Sequence, residues 1–545
     1  MSSSMEMPTI LTSNYVMLSK QLIYYEILPL GNAKRKELIS KWYHLNENSL
    51  TEEEIAARIE NARNQIDTFL GNGAAFIPAM PVFIIGTLQN GDAIKQTLSG
   101  SKYGFLYESL IGSSLAKVSK NYNEAGMYNI DESILSKLAF DMLYSGHTSF
   151  TEDQLSQASS EIGKIYLLQL SPSDFLSKLI DANIVRFDPG EGAYRFKYPY
   201  IFYYFAGRYI AYNLKEPTVN EMIERMSTRL YNETYGNIII FVCHFAGSND
   251  VIDSILLNAY GTLENYIEFD FTKANPIFEE IKEMVDALIP STIASDSDVE
   301  ANKQRALVRM DEVGINDGHV NEGEIIIDDE ITEKEREMAA VSSALKTIEV
   351  LGQILQNYPV AVKGEEKLEI ITEMHKLGMR SVQAIINTMG YLEKDLVEYI
   401  MERAIEKNKN VRREDVAKAT RRFINMLVSG MARGMVHQVA NALNSEHLLP
   451  AAQQTFEADN SISSKLILTD LKMNCINRFT YSEVRSLKNQ LDSDKERFAS
   501  RILDSIIAQY LNYNRCNREL RAKLCRLCGF SEQQAIMTQQ NNLLN

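Results

Sequence analysis

Cysteine is the residue type here whose spacing suggests chemistry most directly. Cys525 and Cys528 form a C-x-x-C pair, and Cys516 lies shortly before them. Such a pair can bind a metal or cycle through a disulfide, but structural zinc takes four ligands at characteristic spacing. The surrounding residues follow a helical pattern, which places the two thiols about one turn apart. We therefore prefer small core residues to a metal centre or a redox site, and we expect no metal.

Cys243 and His244 are a second candidate, because a cysteine beside a histidine suggests a nucleophile and its base. The segment around them has a helical pattern, and adjacent residues of a helix point about 100° apart. A thiol and an imidazole at that spacing do not meet. Packing in a core is the better interpretation of the pair.

Binding of nucleotide phosphates would require a glycine-rich loop of the form G-x-x-x-x-G-K-[ST]. This pattern occurs nowhere in the 545 residues, and no apolar strand ending in paired acidic residues precedes residue 9. Without such a loop, nothing in the sequence cradles the β and γ phosphates or fixes Mg²⁺. We expect that this chain is not an enzyme and carries no catalytic residues.

The elements of the chain are organised around residues 194–212. Aromatic residues alternate with Arg195 and Lys197 over 194–198, which is the period of a strand with one buried face. Pro199 then suits the first turn of a helix, and apolar side chains repeat at helical spacing beyond it. A strand is predicted to run directly into an aromatic, buried helix.

The preceding residues predict two helices and a β-hairpin. Thr151 and Gln154 form a capping-box pattern, and Pro172 stands at the first position of the next helix. Residues 184–187 read as a strand, and the turn 188–192 folds it back on the strand of 194–198. The order helix, helix, hairpin, helix predicts a winged helix.

This segment resembles part of the NACHT and other STAND NTPases of the bacterial defence type. In those proteins an F-x-H/Y strand leads into an E-Y-F-A-A-like helix, and here residues 196–210 have a similar pattern with Tyr203 in place of the glutamate. The resemblance implies that the chain is the C-terminal part of a STAND protein, without the P-loop. The nucleotide-binding half would then be missing or would lie on another polypeptide.

The same resemblance extends to the N-terminal third. Residues 9–13 and 24–30 look like the closing strands of a P-loop NTPase core, with Asn14 where a sensor arginine would stand. Pro78 and Pro81 hold a position similar to the proline motif that lies against the adenine in STAND proteins, which implies weak cofactor-binding roles for both. Alternatively, Pro81 simply begins a helix. We expect no cofactor. ATP with Mg²⁺ would be a cofactor only if a P-loop half is supplied elsewhere.

Composition limits the classes of partner. The formal net charge is −16 at pH 7, and this acidity disfavours attraction to nucleic-acid phosphates. Apolar runs such as 76–88 are too short to span a bilayer, and residues 1–8 lack the basic start and apolar core of a signal peptide. We expect a cytoplasmic protein with no membrane association. The expected partners are a protein ligand or the missing NTPase half, and a homo-oligomer is an open alternative.

The remaining sequence predicts helices on both sides of an acidic linker. Residues 335–545 carry amphipathic helical stripes without a fixed repeat, and Gly430 and Gly434, one turn apart in a helix over 411–443, are expected to let a neighbouring helix approach closely. The predicted fold class is mainly α, with helical domains around a winged helix, a small α/β remnant of an NTPase core at the N-terminus and a C-terminal helical array. The predicted divisions are an NTPase remnant (1–32), a helical domain (33–120), a winged-helix domain (121–215), a helical segment (216–290), an acidic linker (291–334) and a C-terminal helical region (335–545).

The predicted function is that of a regulatory or sensor and oligomerisation portion of a STAND NTPase, implied by the resemblance to bacterial anti-phage proteins. Two alternatives are a winged-helix DNA-binding regulator and a purely structural helical scaffold. The acidic balance and the aromatic character of the helix after the wing disfavour the DNA-binding alternative, because groove binding needs cationic contacts.

The absent phosphate loop leads to a first testable prediction. Titration of the purified chain with ATP and Mg²⁺ is expected to leave its melting temperature unchanged. A ligand that binds only the native state stabilises it by about 2.7 kcal/mol at 100 times its Kd, so binding would be visible in a thermal-shift assay. A saturable rise in melting temperature would show that a nucleotide site exists.

Overall fold

The computed structural model describes residues 29–46, single positions and short runs between 51 and 66, and residues 79–94, 102–118, 127–168, 172–246, 250–273, 299–316, 336–357, 362–406 and 412–530. As predicted, the chain is mainly helical, and the strands described form one two-stranded sheet. Most of residues 1–32, interpreted as an NTPase remnant, lie outside the described residues. Among the helices described, none is long and apolar enough to cross a membrane.

The chain divides into two compact units. The first takes in Met1–Leu98, Tyr198–Tyr200 and Gln304–Glu324, and the second takes in Ser99–Lys197, Ile201–Lys303 and Ile325–Asn545.

The described helices of the first unit are held by a long-range cap. Helix α1 (Asn32–Asn46) begins at the carboxylate of Asp311, which accepts hydrogen bonds from the backbone N–H of Asn32 at 2.5 Å and of Ala33 at 3.1 Å. A carboxylate at a helix N-terminus satisfies donors that have no partner within the helix and complements the helix dipole. Gly31 is needed beside it, because a Cβ there would lie 2.6 Å from the Cγ of Asp311.

The stretch predicted as an acidic linker, residues 291–334, contains a helix in its central part. Helix α11 (Val299–Asn316) occupies it, and Asp311 lies on this helix. Val299 and Leu307 are buried, so the segment contributes to the core despite its charged composition. Residues 291–298 and 317–334 lie outside the described residues.

The second unit begins with helices that surround a small sheet. Thr151 caps its helix as predicted: its Oγ1 accepts from the N–H of Gln154 at 3.3 Å, and the Gln154 side chain accepts from the N–H of Thr151 at 2.8 Å. The elements are α3 (Lys102–Val118), α4 (Met127–Ser145), α5 (Glu152–Tyr166), α6 (Pro172–Asp181), β1 (Val185–Asp188), β2 (Ala193–Phe196) and α7 (Pro199–Tyr212).

Helices continue through the middle and C-terminal parts of the second unit. Two of them, Tyr481–Ser493 and Arg497–Tyr513, are separated by a short break in which Lys495 adopts φ +61°. The middle elements are α8 (Pro217–Ser227), α9 (Glu233–Ala246), α10 (Asp250–Gly261) and a 3₁₀ turn (Phe271–Lys273). The C-terminal helices are α12 (Arg336–Asn357), α13 (Gly364–Glu406), α14 (Arg413–Ala442), α15 (Leu449–Asp459), α16 (Ile462–Asp470), a π-turn (Leu471–Cys475), α17 (Tyr481–Ser493), α18 (Arg497–Tyr513) and α19 (Arg518–Cys528).

The 43-residue helix α13 forms the axis of the C-terminal region and packs against α12, α14 and α15. The predicted apolar stripes of α12 and α13 are buried, and Leu351 and Leu377 are fully inaccessible to solvent. At the crossing of α12 with the end of α14, Gly352 lies so close to Ala442 that a Cβ would be 2.5 Å from the Ala442 carbonyl oxygen and 2.7 Å from its Cβ. The backbones can approach this closely only because residue 352 has no side chain.

A second prediction concerns this helix crossing. Gly352→Ala is expected to destabilise the chain by about 1–3 kcal/mol, because the added methyl group forces the two backbones apart. Gly390→Ala is the matched control: Gly390 also lies inside a helix, but nothing lies within 4 Å of the place that its Cβ would take. This control should be neutral or stabilising by up to about 1 kcal/mol. The midpoints of denaturant unfolding compare the stabilities of the two variants. Equal midpoints would contradict the close crossing.

Candidate functional site

The candidate site is the hairpin module, which we define as α5, α6, β1, β2 and α7. Its two strands pair antiparallel, with Val185 opposite Phe196 and Asp188 opposite Ala193. Phe150, just before α5, forms a single antiparallel β-bridge to this hairpin, since its N–H donates to the Tyr194 carbonyl and its carbonyl accepts from the Tyr194 N–H, both at 2.8 Å. The predicted hairpin is therefore present and is tied to the start of α5.

The charged groups of the hairpin neutralise each other. Arg195 is 3.2 Å from the Asp188 carboxylate and also pairs with Glu191. The turn itself depends on Asp188, whose Oδ1 accepts from the Gly190 N–H at 2.9 Å, and on Gly192, which has φ +65°. An arginine paired with two carboxylates offers no net positive charge to a nucleic-acid phosphate.

Three aromatic residues at the junction of β2 and α7 are buried, in agreement with the predicted half-buried strand and buried helix. Phe196 is 3% exposed, and Phe202 and Phe205 are fully inaccessible. The ring centroid of Phe196 is 5.8 Å from that of Phe202 and 6.2 Å from that of Phe205, distances typical of favourable aromatic pairs. The strand and α7 therefore share one aromatic core.

A buried carboxylate attaches α7 to α4. Glu132 accepts a hydrogen bond from the Tyr204 hydroxyl at 3.1 Å and lies 2.9 Å from the Arg208 guanidinium. Glu132 and Tyr204 are both buried, so the carboxylate is compensated by an ion pair and a hydrogen bond. Removal of one partner from such a pair is typically far more costly than the pair is worth, because a charge is left buried alone.

Close contacts attach a neighbouring side of α7 to α9. A Cβ at Gly207 would lie 2.6 Å from the Cβ of Phe241, so the two helices touch at this glycine. The Tyr203 hydroxyl forms hydrogen bonds with the side chains of Thr234 and Asn237, and burial raises the pKa of Tyr203 to about 12. The residue that replaces the glutamate of the resembling families is thus a buried, neutral tyrosine.

The Cys243–His244 pair lies on α9, where Cys243 is buried, in agreement with the packing interpretation. Burial raises the pKa of the Cys243 thiol to about 12, so the reactive thiolate is absent at neutral pH. His244 is directed elsewhere, with its Nε2 at 3.6 Å from the Glu108 carboxylate. The two neighbours do not form a nucleophile and base.

The C-terminal cysteines lie near the end of α19. Cys525 is buried, Cys516 and Cys528 are half-buried, and burial raises the pKa of Cys528. Across the part of the chain that the structure describes, no group of three or more His, Cys, Asp or Glu residues is arranged to hold a metal ion.

Of the two prolines with an implied adenine role, one can be located. Pro81 is the exposed first residue of α2 (Pro81–Ile94), which is the position that the alternative interpretation predicts. Nearby in the same unit, the Ala79 carbonyl accepts from the Leu30 N–H at 2.8 Å. Pro78 lies outside the described residues. The contact of either proline with adenine stays a prediction.

Sequence analysis missed a buried ionic cluster in the C-terminal region. Asp470 is fully buried and lies 3.0 Å from the Arg433 guanidinium, 2.9 Å from the His437 Nδ1 and 2.7 Å from the Asn474 amide. The π-turn of residues 471–475 follows Asp470 directly and brings Asn474 back to it. These residues are far apart in sequence, so only Arg433 within an otherwise apolar stripe could have signalled a buried partner.

A second cluster contains a histidine and serines, which are residue types of hydrolase active sites, but it is buried away from any substrate. His375 Nε2 lies 2.8 Å from Ser463 Oγ, and Ser461 Oγ lies 2.9 Å from the same oxygen. His375 and Ser463 are 4% and 5% exposed, and burial lowers the pKa of His375. A substrate cannot reach the serine, and Ser461 caps α16 through the Ser464 N–H. The cluster connects α13 to the start of α16.

A third prediction tests the aromatic core of the module. Phe205→Ala is expected to cost about 3–5 kcal/mol of stability, because it removes a large, fully buried side chain. Tyr212→Ala is the control on the same helix, since Tyr212 is 65% exposed and contacts mainly the Arg208 guanidinium at 5.2 Å. Its expected cost is about 1 kcal/mol or less. Denaturant unfolding shows which of the two variants is less stable. A parallel single-stranded DNA binding assay tests whether the aromatic residues form a base-stacking surface instead of a core. A Phe205→Ala protein that is stable but has lost DNA binding would contradict the core assignment.

Comparison with known protein families gives a match that falls on the hairpin module. A family model described as Novel STAND NTPase 4 matches residues 148–206, from the bridge at Phe150 to the first half of α7. No curated protein and no solved structure matches the chain. The match covers a short part of the sequence and supports a relation between this chain and the STAND-type NTPases.

Proposed function

We propose that this chain is a regulatory or sensor and oligomerisation portion of a STAND-type, NACHT-like NTPase in bacterial anti-phage signalling, without a nucleotide-hydrolysing site of its own. The observation that carries the proposal is the coincidence of the family match with the hairpin module. The absence of the phosphate-binding pattern from the sequence supports the second half of the proposal. Its partners would be a protein ligand or a P-loop NTPase half, and its location the cytoplasm.

The order of elements supports a winged helix as the regulatory module. Helix α4, the bridge at Phe150, α5, α6 and the β1–β2 hairpin follow one another as the three helices, short first strand and wing of that motif do. The pairing of Phe150 with Tyr194 is informative, because the first strand of a winged helix pairs beside the wing. In this interpretation α7 is the helix that connects the wing to the rest of the protein.

The contacts of α7 support a role in transmitting movement. Glu132 fixes it to α4, and Gly207 and Tyr203 fix it to α9. Helix α9 in turn meets α12, where the Lys346 side chain packs on Gly236 with its Cε 2.8 Å from a Cβ built at that glycine. A displacement of the hairpin module would therefore be passed to the C-terminal helices through packed, buried contacts rather than through a loop.

The same contacts disfavour the DNA-binding alternative. Helix α6, which would enter the groove, exposes Asp174, Ser177 and Asp181, and its Lys178 is paired with the buried Asp131. Arg195 of the wing is likewise paired with carboxylates, so neither Lys178 nor Arg195 is free to contact phosphate. A purely structural scaffold could have the same contacts, so a functional test is needed to distinguish it from a regulatory portion.

A fourth prediction tests the proposal in cells. The locus that encodes this chain, with its native flanking genes, is expected to reduce plaque formation in a phage-susceptible bacterial host. Phe205→Ala should abolish the protection, because it destabilises the module by a large part of a typical domain stability of about 5–15 kcal/mol. Tyr212→Ala should retain it.

Two outcomes would contradict the proposal. A wild-type locus that gives no protection would refute the antiviral role, and ATP hydrolysis by the purified chain would refute its assignment as a portion without a nucleotide site. Protection that survives Phe205→Ala at equal protein level would show that the module is not the regulatory part.

A further inference from the structure

We propose that the projecting ends of α13 and α14 dock against a second copy of this chain. We define the distal hairpin as residues 385–406 of α13 and 412–434 of α14. The inference deepens the oligomerisation part of the proposed function and rests on that part alone.

The distal hairpin is packed along a single seam. Among the described residues 385–406 only Val397 is buried, whereas most of residues 370–384 on the same helix are buried. On α14 the buried positions begin with Val416, Thr420 and Ile424, one residue per turn. The seam is fixed in register by Arg421, which lies 3.1 Å from Glu393, and by the Arg413–Glu398 pair. About 22 residues of α13, some 33 Å of helix, therefore have α14 as their main neighbour.

Large apolar side chains cover the hairpin outside this seam. Between 37% and 54% of each remains exposed: Leu392, Tyr399 and Ile400 on α13, and Phe423, Met426 and Met431 on α14. On each helix, these residues are rotated about the helix axis by a similar angle, and in the same direction, from the residues of the seam. Because the two helices run antiparallel, side chains rotated in the same direction lie on the same side of the hairpin. The two sets of residues therefore form stripes on one side. A contiguous apolar face of this kind on a soluble protein usually marks an interface.

Two glycines lie open within the stripe of α14. Gly430 and Gly434 are exposed, and nothing lies within 4 Å of a Cβ built at either. A glycine inside a helix costs about 1 kcal/mol relative to alanine, and no described neighbour makes use of the space. The predicted close approach of a helix does not occur within the described chain, so these two positions are suited to a helix from outside it.

Charge identifies that helix as one from the same chain. Apart from the two ion pairs of the seam, residues 390–406 contain three acidic and two basic residues, whereas residues 411–426 contain three basic and two acidic residues. A two-fold arrangement that places α13 of one copy over α14 of the other sets the acidic helix against the basic one at both ends of the interface. The alternative, α13 over α13, sets like charges together. Charge therefore selects one self-complementary pairing and also specifies the partner.

A fifth prediction uses the full-length chain in sedimentation equilibrium over a concentration series. The wild type is expected to form dimers. Gly434→Leu should yield folded monomers with the helix content of the wild type by circular dichroism, since the new side chain has space in the monomer and favours helix, but blocks the second copy. Unchanged dimerisation by Gly434→Leu would overturn the proposal.

Charge reversals test the pairing itself. Asp395→Arg and Arg422→Glu, both at exposed positions beside the stripes, should each raise the dimer Kd at least about tenfold, and the double variant should regain most of the affinity, because each reversed residue then faces its opposite. Arg485→Glu is the control: it reverses an exposed arginine on α17, outside the distal hairpin, and should leave Kd unchanged.

Two results would overturn the proposal: a wild type that stays monomeric at every concentration, or a double variant no tighter than the singles. Neither result would affect the plaque test of the regulatory role, so failure of the docking surface and failure of the proposed function can be told apart.

Discussion

The second unit depends on the burial of helix α7, which has no polar face. Its residues 201–206 are all buried, including three tyrosines or phenylalanines in succession after Phe202. A helix that is apolar all round must be covered all round. The hairpin covers it through Phe196, α4 through Glu132, and α9 through Phe241. Because one helix makes all these contacts, the positions of hairpin, α4 and α9 are fixed together.

Buried charges add specificity to this apolar packing. Glu132 is paired with Arg208, Asp470 with Arg433, and Asp504 with Lys488 at 2.6 Å. Each pair joins two different helices, and each can form only in one arrangement of those helices. Paired buried charges contribute little net stability, but an unpaired one costs about 3–5 kcal/mol, so misaligned packings are penalised strongly. The C-terminal helices are thereby confined to a single packing.

The distal hairpin differs from the rest of the second unit in this respect. Its inner end shares the dense core around Leu377, and its outer part has a single seam and an exposed apolar side. A chain of packed contacts leads from α7 through α9 and α12 to α13, so the hairpin module and the exposed face lie on the same continuous set of helices. A regulatory module at one end and an association surface at the other would be mechanically connected by this path. This connection links our two proposals, although each is tested separately.

The sequence alone determined the features that depend on neighbouring residues. The capping box of Thr151 and Gln154, the turn at Asp188, the helix start at Pro199 and the burial of α7 were all predicted, because each follows from local hydrogen bonding or from periodicity. The mainly helical class followed from the same patterns. The roles of Pro78 and Pro81, which came from resemblance alone, stay predictions.

Only the tertiary structure decided the features that depend on residues far apart in the chain. Helix α11 lies within the stretch read as a linker because Val299 and Leu307 find a core and Asp311 finds the N-terminus of α1, and composition carries no information about such partners. The break at Lys495, the partner of Arg433 and the open space at Gly430 are of the same kind. A helical pattern shows which side of a helix is apolar, but what covers that side is set by the packing of the whole chain.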